Sequence, residues 1–228
     1  MREIILDTET TGLNPASGDR LVEIGAVELI NRMPTGKVFH VYLNPERDMP
    51  KEAEAVHGLS AKFLADKPYF ADKVEEFLAF VGDAKLVIHN ASFDMAFINA
   101  ELGYCDRLAI PPDQVIDTLA LARRSHPAGP NSLDALCRRY GIDNSKRTKH
   151  GALLDAELLA DVYLEMMGGR QTTLGLAEAK KQVINLNTNA HSQSRQRETV
   201  LPPRLTEKER AAHQAAILEL GPSTLWKA

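Results

Sequence analysis

Apolar residues gather near the start of the chain in Ile4-Ile5-Leu6, a run that predicts a short buried strand over 1–6. The stretches 21–30 and 37–43 predict two more strands, with 31–36 as the hairpin loop between them. A polar loop over 44–49 leads to a short helix at 50–56, then His57-Gly58. Ser60 is placed to cap a further helix. Val74, Phe77, Leu78 and Val81 repeat at helical spacing and predict a helix over 71–81. The pattern then alternates. A short strand at 86–88 precedes a helix capped by Ser92 and running to about Leu102, and a strand at 114–116 precedes a helix at 117–124. Asn131 is read as the cap of a helix whose Leu133, Leu136, Cys137 and Tyr140 share one face, with Gly141 as its stop. The last helix of the body covers 152–167 and ends at Gly168-Gly169. Antiparallel strands followed by alternating strands and helices predict an α/β fold: a mixed sheet, antiparallel first and then parallel, flanked by helices.

After Gly169 the apolar pattern stops. Residues 185–199 are mostly Asn, Gln, Ser, Thr and charged side chains, the composition of a flexible linker. Order is expected to return at Thr206, three residues before Glu209, the spacing of a capping box, with a helix as far as Leu220. The chain ends Leu225-Trp226-Lys227-Ala228. A tryptophan on such a tail has no core of its own, which suits an anchor in a partner's pocket; the alternative is a tail folded back on the body. The expected division is a body at 1–170, a junction at 171–184, a linker at 185–203 and a tail at 204–228.

Composition narrows the function. The net charge is −4, divided as 19 basic against 26 acidic residues in 1–170 and 8 against 5 in 171–228. An acidic body argues against simple coating of nucleic acid, yet it can handle phosphates if cations neutralise its carboxylates locally. Cys105 and Cys137 lie in no metal-ligand spacing and read as reduced core thiols of a cytosolic protein. No apolar run approaches the length of a membrane span or a signal peptide. The expectation is a soluble, cytoplasmic protein without a membrane partner.

The chemistry concentrates at Asp7-Thr8-Glu9-Thr10-Thr11-Gly12. Residues two apart on a strand point to one face, so Asp7 and Glu9 aim their carboxylates at one spot. Their repulsion is tolerable with a cation between them, and hard oxygen donors suit Mg²⁺ or Mn²⁺. The alternative is a solvated edge strand that carries two acids. Asp94 and Asp155 are individually weak candidates, since an acid in a first helical turn also satisfies the helix dipole. His150 and Asp155 are five apart, about 140° around a helix. To serve one site, His150 must sit in the loop before the helix, with Gly151 permitting the bend. The basic clusters Arg138-Arg139 and Lys146-Arg147-x-Lys149 flank that loop and could touch a substrate backbone or only face solvent. Asp117 could support the site from behind or only cap its helix.

Asp7-x-Glu9-Thr10-Thr11-Gly12, His89-Asn90-x-x-Phe93-Asp94 and His150-x-x-x-x-Asp155, in this order, resemble the three motifs of the DEDDh 3′→5′ exonucleases. The segments starting at Asn131, Asp143 and His150, with the Leu225-Trp226 end, resemble the proofreading (epsilon) subunits of bacterial DNA polymerase III within that family. The resemblance implies a ribonuclease H-like fold and hydrolysis with two divalent cations, Mg²⁺ or Mn²⁺, held by Asp7, Glu9, Asp94 and Asp155. It implies His150 as the base that takes a proton from water. It also implies that the terminal nucleotide of a DNA 3′ end is held by Asp7, Glu9, Asp155, Thr10–Gly12, Glu52, His57 and Phe93. For the tail it implies that Leu225 and Trp226 bind the catalytic (alpha) subunit of the polymerase. Gln171, Leu174 and Leu176 resemble the peptides that bacterial proteins insert into the sliding clamp. The alternatives are a free-standing RNA 3′-end trimming enzyme of the same superfamily, and an adaptor joining polymerase to clamp.

Overall fold

The computed structural model describes residues 1–145, 147, 149–169 and 205–220. Five strands form one mixed sheet in the order β3-β2-β1-β4-β5: β1 (Arg2–Thr10), β2 (Leu21–Ile30), β3 (Met33–Tyr42), β4 (Lys85–Ile88) and β5 (Val115–Asp117). The β1–β2 and β2–β3 pairs are antiparallel, whereas β1–β4 and β4–β5 are parallel. This is the layout that the order of apolar segments predicts. Helices α1 (Lys51–His57), α2 (Ala61–Leu64), α3 (Phe70–Val81), α4 (Ala91–Tyr104), α5 (Thr118–Ser125), α6 (Leu133–Tyr140) and α7 (Ala152–Met166) surround the sheet.

Strand alternation divides the core in two. Ile4, Leu6, Ile24 and Leu86 pack with Phe77 of α3 and Phe97 of α4 on one face. Ile5, Leu29 and Val87 pack with Leu136 of α6 and Leu159 and Tyr163 of α7 on the other. The central strand β1 is therefore covered on both sides, and it extends past its apolar run to Thr10 because β2 pairs with it throughout.

Three expectations needed correction. The hairpin between β2 and β3 is a two-residue turn, Asn31-Arg32, with φ of 51° and 64° and Ile30 opposite Met33. Such primed turns match the twist of the strands they join. Pro34 and Gly36, which suggested a longer loop, sit within β3; an edge strand tolerates proline because its unused N–H positions face outward. Ser132, rather than Asn131, caps α6 by accepting from the Ala135 N–H at 3.3 Å. Asn131 instead donates to the carbonyls of His126 and Gly129, closing the loop ahead of the helix. At α4 the cap position is Asn90, in the left-handed region at φ 64°, not Ser92.

The chain divides into compact units at 1–175 and 176–228. In the second, α8 (Glu207–Leu220) begins with the expected reciprocal cap: Thr206 donates to the Glu209 carboxylate, and the Glu209 N–H donates to Thr206 Oγ1. No described helix is long and apolar enough to cross a membrane.

Candidate active site

The carboxyl ends of the neighbouring parallel strands β1 and β4 open into a cleft of about 330 Å³ lined by Asp7, Glu9, Asp94, His150 and Asp155. Asp7 and Glu9 lie on the α7 face of β1, opposite Gly25 and Glu23 of β2. Asp94 enters from the first turn of α4, where Thr8, pointing to the other face of β1, donates its hydroxyl to Asp94 Oδ1 at 2.7 Å. Asp155 enters from the first turn of α7, its N–H bonded to the Gly151 carbonyl at 2.9 Å. Glu9, His150 and Asp155 present ligand atoms that all lie within 4.8 Å of one another. His150 stands in the coil before α7, as the five-residue spacing requires, with its N–H donated to the Val56 carbonyl at 3.3 Å.

Gly25 allows α7 to come this close. A Cβ there would lie 2.2–2.4 Å from the backbone of Ala152 and Leu153, which cannot move without lifting the helix start from the sheet. Gly25→Ala is expected to cost about 3 kcal/mol through overpacking and to carry Asp155 away from Asp7. Urea unfolding measures the cost; wild-type stability in the variant would mean that the helix start is not pinned to β2.

The four acids are held against strong repulsion. Burial first, then the charges of Asp94, Glu9 and Asp155, push the Asp7 carboxyl well above its usual range. Burial, with Asp155, Glu23 and Asp94, raises Glu9 to about 8. Burial raises Asp94 to about 7 against the lowering hydrogen bond from Thr8. One internal cation offsets this. Arg147 donates from Nε to Asp155 Oδ1 at 2.5 Å and from Nη2 to Asp155 Oδ2 at 2.7 Å, while Nη1 reaches Asp134 Oδ1 at 2.9 Å. Its side chain is only 8% exposed, so this residue of the basic cluster does not face solvent. The guanidinium occupies a place that attracts cations, and the donors around it are hard oxygens. That set fits divalent metals of the Mg²⁺ and Mn²⁺ kind.

These shifts give the metal-free protein a pH dependence. Glu9 and Asp94 have ordinary values of 4.5 and 3.8 and folded values of about 8 and 7. A raised folded value means that the folded state holds protons the unfolded state has released. The stability is therefore complete below the ordinary carboxylate range and is lost as pH rises through about 7 to 8. In the presence of a chelator the Tm is expected to fall between about pH 5 and pH 9, and Mg²⁺ should restore it mainly at the alkaline end. Thermal unfolding with and without metal checks this; a metal effect of equal size at both ends would contradict it.

Beside the cleft, and joined to it through Thr8, Glu9 and Phe93, lies a second cavity of about 460 Å³ lined by Thr10, Gly12, Leu13, Glu52, Val56 and His57. Thr10 Oγ1 donates to the Gly12 carbonyl at 2.6 Å and fixes its rim. His57 is 6% exposed and accepts the Leu59 N–H on Nδ1 at 3.0 Å, which leaves the proton of the neutral ring on Nε2. That atom is buried without a hydrogen-bond partner among the described residues; the Thr10 backbone lies near it but outside bonding geometry. Burial holds the imidazole below its usual pKa and keeps the ring neutral, with one donor available to a ligand. Phe93 serves two purposes, lining both cavities and packing on Phe97 with ring centroids 5.1 Å apart.

The structure thus gathers Asp7, Glu9, Asp94, His150 and Asp155 in one cleft, and Thr10, Gly12, Glu52, His57 and Phe93 around the adjoining cavity. Asp117 caps α5 and also accepts the Asn90 N–H at 3.2 Å, so it ties the starts of α4 and α5 together. Gln171, Leu174, Leu176, Leu225 and Trp226 lie outside the described residues. Sequence reasoning missed Gly25, Thr8 as the partner of Asp94, and the inward turn of Arg147. Strand alternation could have flagged Thr8, which points away from Asp7 and toward α4; no sequence pattern marks the other two.

The Exonuclease family matches residues 4–163. Among solved structures, Exonuclease X in complex with 5′-overhanging duplex DNA superposes with a TM-score of 0.57 at 27% identity, over 72% of this chain and 90% of that one. The nuclease domain of 3′hExo, a DEDDh family member bound to rAMP, gives a TM-score of 0.63 at 17% identity over 73% and 91%, a likeness of fold. The fold is that of a ribonuclease H-like exonuclease, and the Exonuclease family to which the chain belongs implies divalent cations. DNA polymerase III subunit epsilon of Rickettsia conorii is 49% identical over 94% of both chains. The proteins of that name from Salmonella typhimurium and Escherichia coli K12 are 48% and 46% identical over 100% of this chain and 98% of theirs. The chain belongs to the family of DNA polymerase III epsilon subunits.

Proposed function

We propose that this chain is the proofreading exonuclease of a replicative DNA polymerase, removing mispaired nucleotides from the 3′ end of DNA as nucleoside 5′-monophosphates. The observation that carries the reading is the convergence of four carboxylates and one imidazole beside a nucleoside-sized cavity. Asp7, Glu9, Asp94 and Asp155 would hold two divalent cations, Mg²⁺ or Mn²⁺. When bound, these neutralise the phosphate, lower the pKa of water and stabilise the leaving oxygen. The chain's own groups do the rest. The cavity seats the last nucleoside, with the His57 Nε2 proton as a donor and Phe93 as an apolar wall. His150 takes a proton from the attacking water. Thr8 and the first turns of α4 and α7 keep the carboxylates in register.

On this reading 1–170 is the nuclease body, 185–203 a tether and 204–228 the polymerase-binding tail, with Leu225 and Trp226 engaging the alpha subunit. Gln171, Leu174 and Leu176 engage the sliding clamp, and the protein works in the cytoplasm. A tether raises the local concentration of nuclease at the primer end without fixing its geometry. The test compares release from 3′-labelled matched DNA, mismatched DNA and RNA, with and without Mg²⁺, for the full chain and for a chain cut after Ile184. Metal-dependent release that favours the mismatched DNA end is expected from both, with co-purification of the polymerase lost in the shorter one. Faster release from RNA would favour the RNA-trimming alternative. Tight polymerase binding by the shorter chain would place the anchor in the body.

A further inference from the structure

The cleft is continuous in two directions. Through Thr8, Glu9 and Phe93 it joins the cavity around His57, and through His89, Asn90 and Ser132 it joins a groove of about 560 Å³ whose walls include Arg123 of α5 and Asn131. The two branches differ in chemistry. The first is walled by Leu13, Pro50, Ala53 and Val56, and the second mostly by polar side chains. A strand end bound across the carboxylates must place its last nucleoside on one side and the remainder of the chain on the other. The more enclosed, more apolar branch suits the terminal nucleoside, and the more open, polar branch suits a chain of any length. The cavity beside His57 is the first of these and the groove is the second.

We infer that the groove holds the nucleotide on the 5′ side of the scissile phosphate, and that Arg123 pairs with the backbone phosphate carried there; this rests on the exonuclease reading above. In the reaction the water oxygen bonds to phosphorus and the bond from phosphorus to the 3′ oxygen of the penultimate nucleotide breaks. That oxygen takes a proton from solvent and departs into the groove.

Arg123 suits the role because its charge is not already committed. It is exposed and makes no hydrogen bond or ion pair among the described residues. Two other arginines near the site are engaged: Arg147 is forked onto Asp155, and Arg139 Nη1 donates to Asn131 Oδ1 at 3.4 Å. Arg123 is close enough to the shared wall for its charge to act on His89. The wall itself is fixed, since His89 Nδ1 is bonded to Thr118 Oγ1 at 2.9 Å and the Asn131 amide is bound to the His126 and Gly129 carbonyls. Phe, Tyr and Trp are all missing from the groove's lining, so it offers a phosphate contact and a channel without a base-stacking platform. Such a contact reads no sequence, as a nuclease that must accept any 3′ end requires.

The test uses the full chain with Mg²⁺ and two substrates, a short oligothymidylate and thymidine 5′-(4-nitrophenyl phosphate). The ester has a nitrophenyl group where the penultimate nucleotide would be, so it brings no backbone phosphate to Arg123. Arg123→Gln is expected to lower the preference for the oligonucleotide over the ester, as a ratio of kcat/KM, by about tenfold. It should also flatten the slope of log(kcat/KM) against log[salt] on the oligonucleotide by about 0.7, the value of one phosphate contact to a single strand. Arg123→Lys, which keeps the charge, should retain the wild-type slope. An unchanged ratio and slope in Arg123→Gln would overturn the assignment, as would an equal loss on both substrates. If the wild type hydrolyses neither substrate, the exonuclease reading fails and the groove assignment falls with it.

Discussion

Asp7→Ala is expected to reduce nucleotide release by about 10³-fold or more, and Asp155→Ala to do the same, yet only Asp155→Ala should lower the metal-free melting temperature. The loss of activity has one cause in both. On the proposed reading each change removes a donor from the set that would hold the cations, which would supply several kcal/mol of charge stabilisation, and about 1.4 kcal/mol is a factor of ten in rate. The stability effects separate because the two acids have different partners. The described contacts of Asp7 pair it with no basic group; burial and three neighbouring carboxylates act on it, opposed only by the more distant charge of Arg147. Alanine there relieves repulsion, so the metal-free Tm should hold or rise. Asp155 is the bidentate partner of Arg147, which is buried. Alanine there leaves the guanidinium with Asp134, which is half-exposed, and His150, and stranding a buried charge costs about 3 kcal/mol. Single-turnover release and thermal unfolding in chelator measure the two effects. If both variants melted higher than wild type, the Arg147 pair would contribute nothing to the resting protein, and repulsion alone would govern the site.

The same contrast shows what the sequence could and could not reveal. The sheet was legible because its strands are apolar and its turns are punctuated; the candidate site was legible because Asp7 and Glu9 alternate at the end of a strand and Asp94 and Asp155 open helices, all at motif spacing. A side chain that turns inward from a polar loop leaves no such trace. Arg147 lies among Lys146, Lys149 and Asn144 in a stretch that reads as surface, and its pairing with Asp155 depends on how that loop closes over the first turn of α7. Gly25 is silent for a related reason. Within the strand Leu21–Ile30 it resembles a weak point, and only the position of Ala152 and Leu153 above it explains why no side chain fits. At the hairpin, composition misled: Pro34 and Gly36 suggested a loop, and the edge position of β3, which a one-dimensional pattern does not encode, accommodates both. At α6 two residues competent to cap stood side by side, and the better use of the Asn131 amide in closing the preceding loop left the cap to Ser132.

His150→Ala is expected to lower turnover by roughly 10²–10⁴-fold while metal and DNA binding survive. The imidazole is about half exposed, on a coil segment whose N–H is bonded to Val56, and Nδ1 lies 3.3 Å from Asp155 Oδ2. It therefore stands at the carboxylate cluster in the free protein, where a bendable loop before Gly151 could equally have carried it away. Arg147 Nη2 donates to that same Nδ1 at 2.7 Å. The Nδ1 lone pair is thus engaged in the resting arrangement, and the proton of the neutral ring sits on Nε2. For Nδ1 to act as the base, this contact has to loosen as substrate enters, so the base becomes available together with the Asp155 oxygens that the same guanidinium covers. The rate of the wild type should rise with pH as imidazole loses its proton, because only the neutral ring accepts one. Water beside a divalent cation can titrate in a similar range, so the wild-type profile does not by itself identify the base, whereas the comparison with His150→Ala does. That variant should lack the step while retaining the Kd for the oligonucleotide and for Mn²⁺, measured in separate titrations. A variant with both the wild-type pH step and a rate within a few-fold of wild type would make His150 a bystander and leave the water to lose its proton without help from the protein.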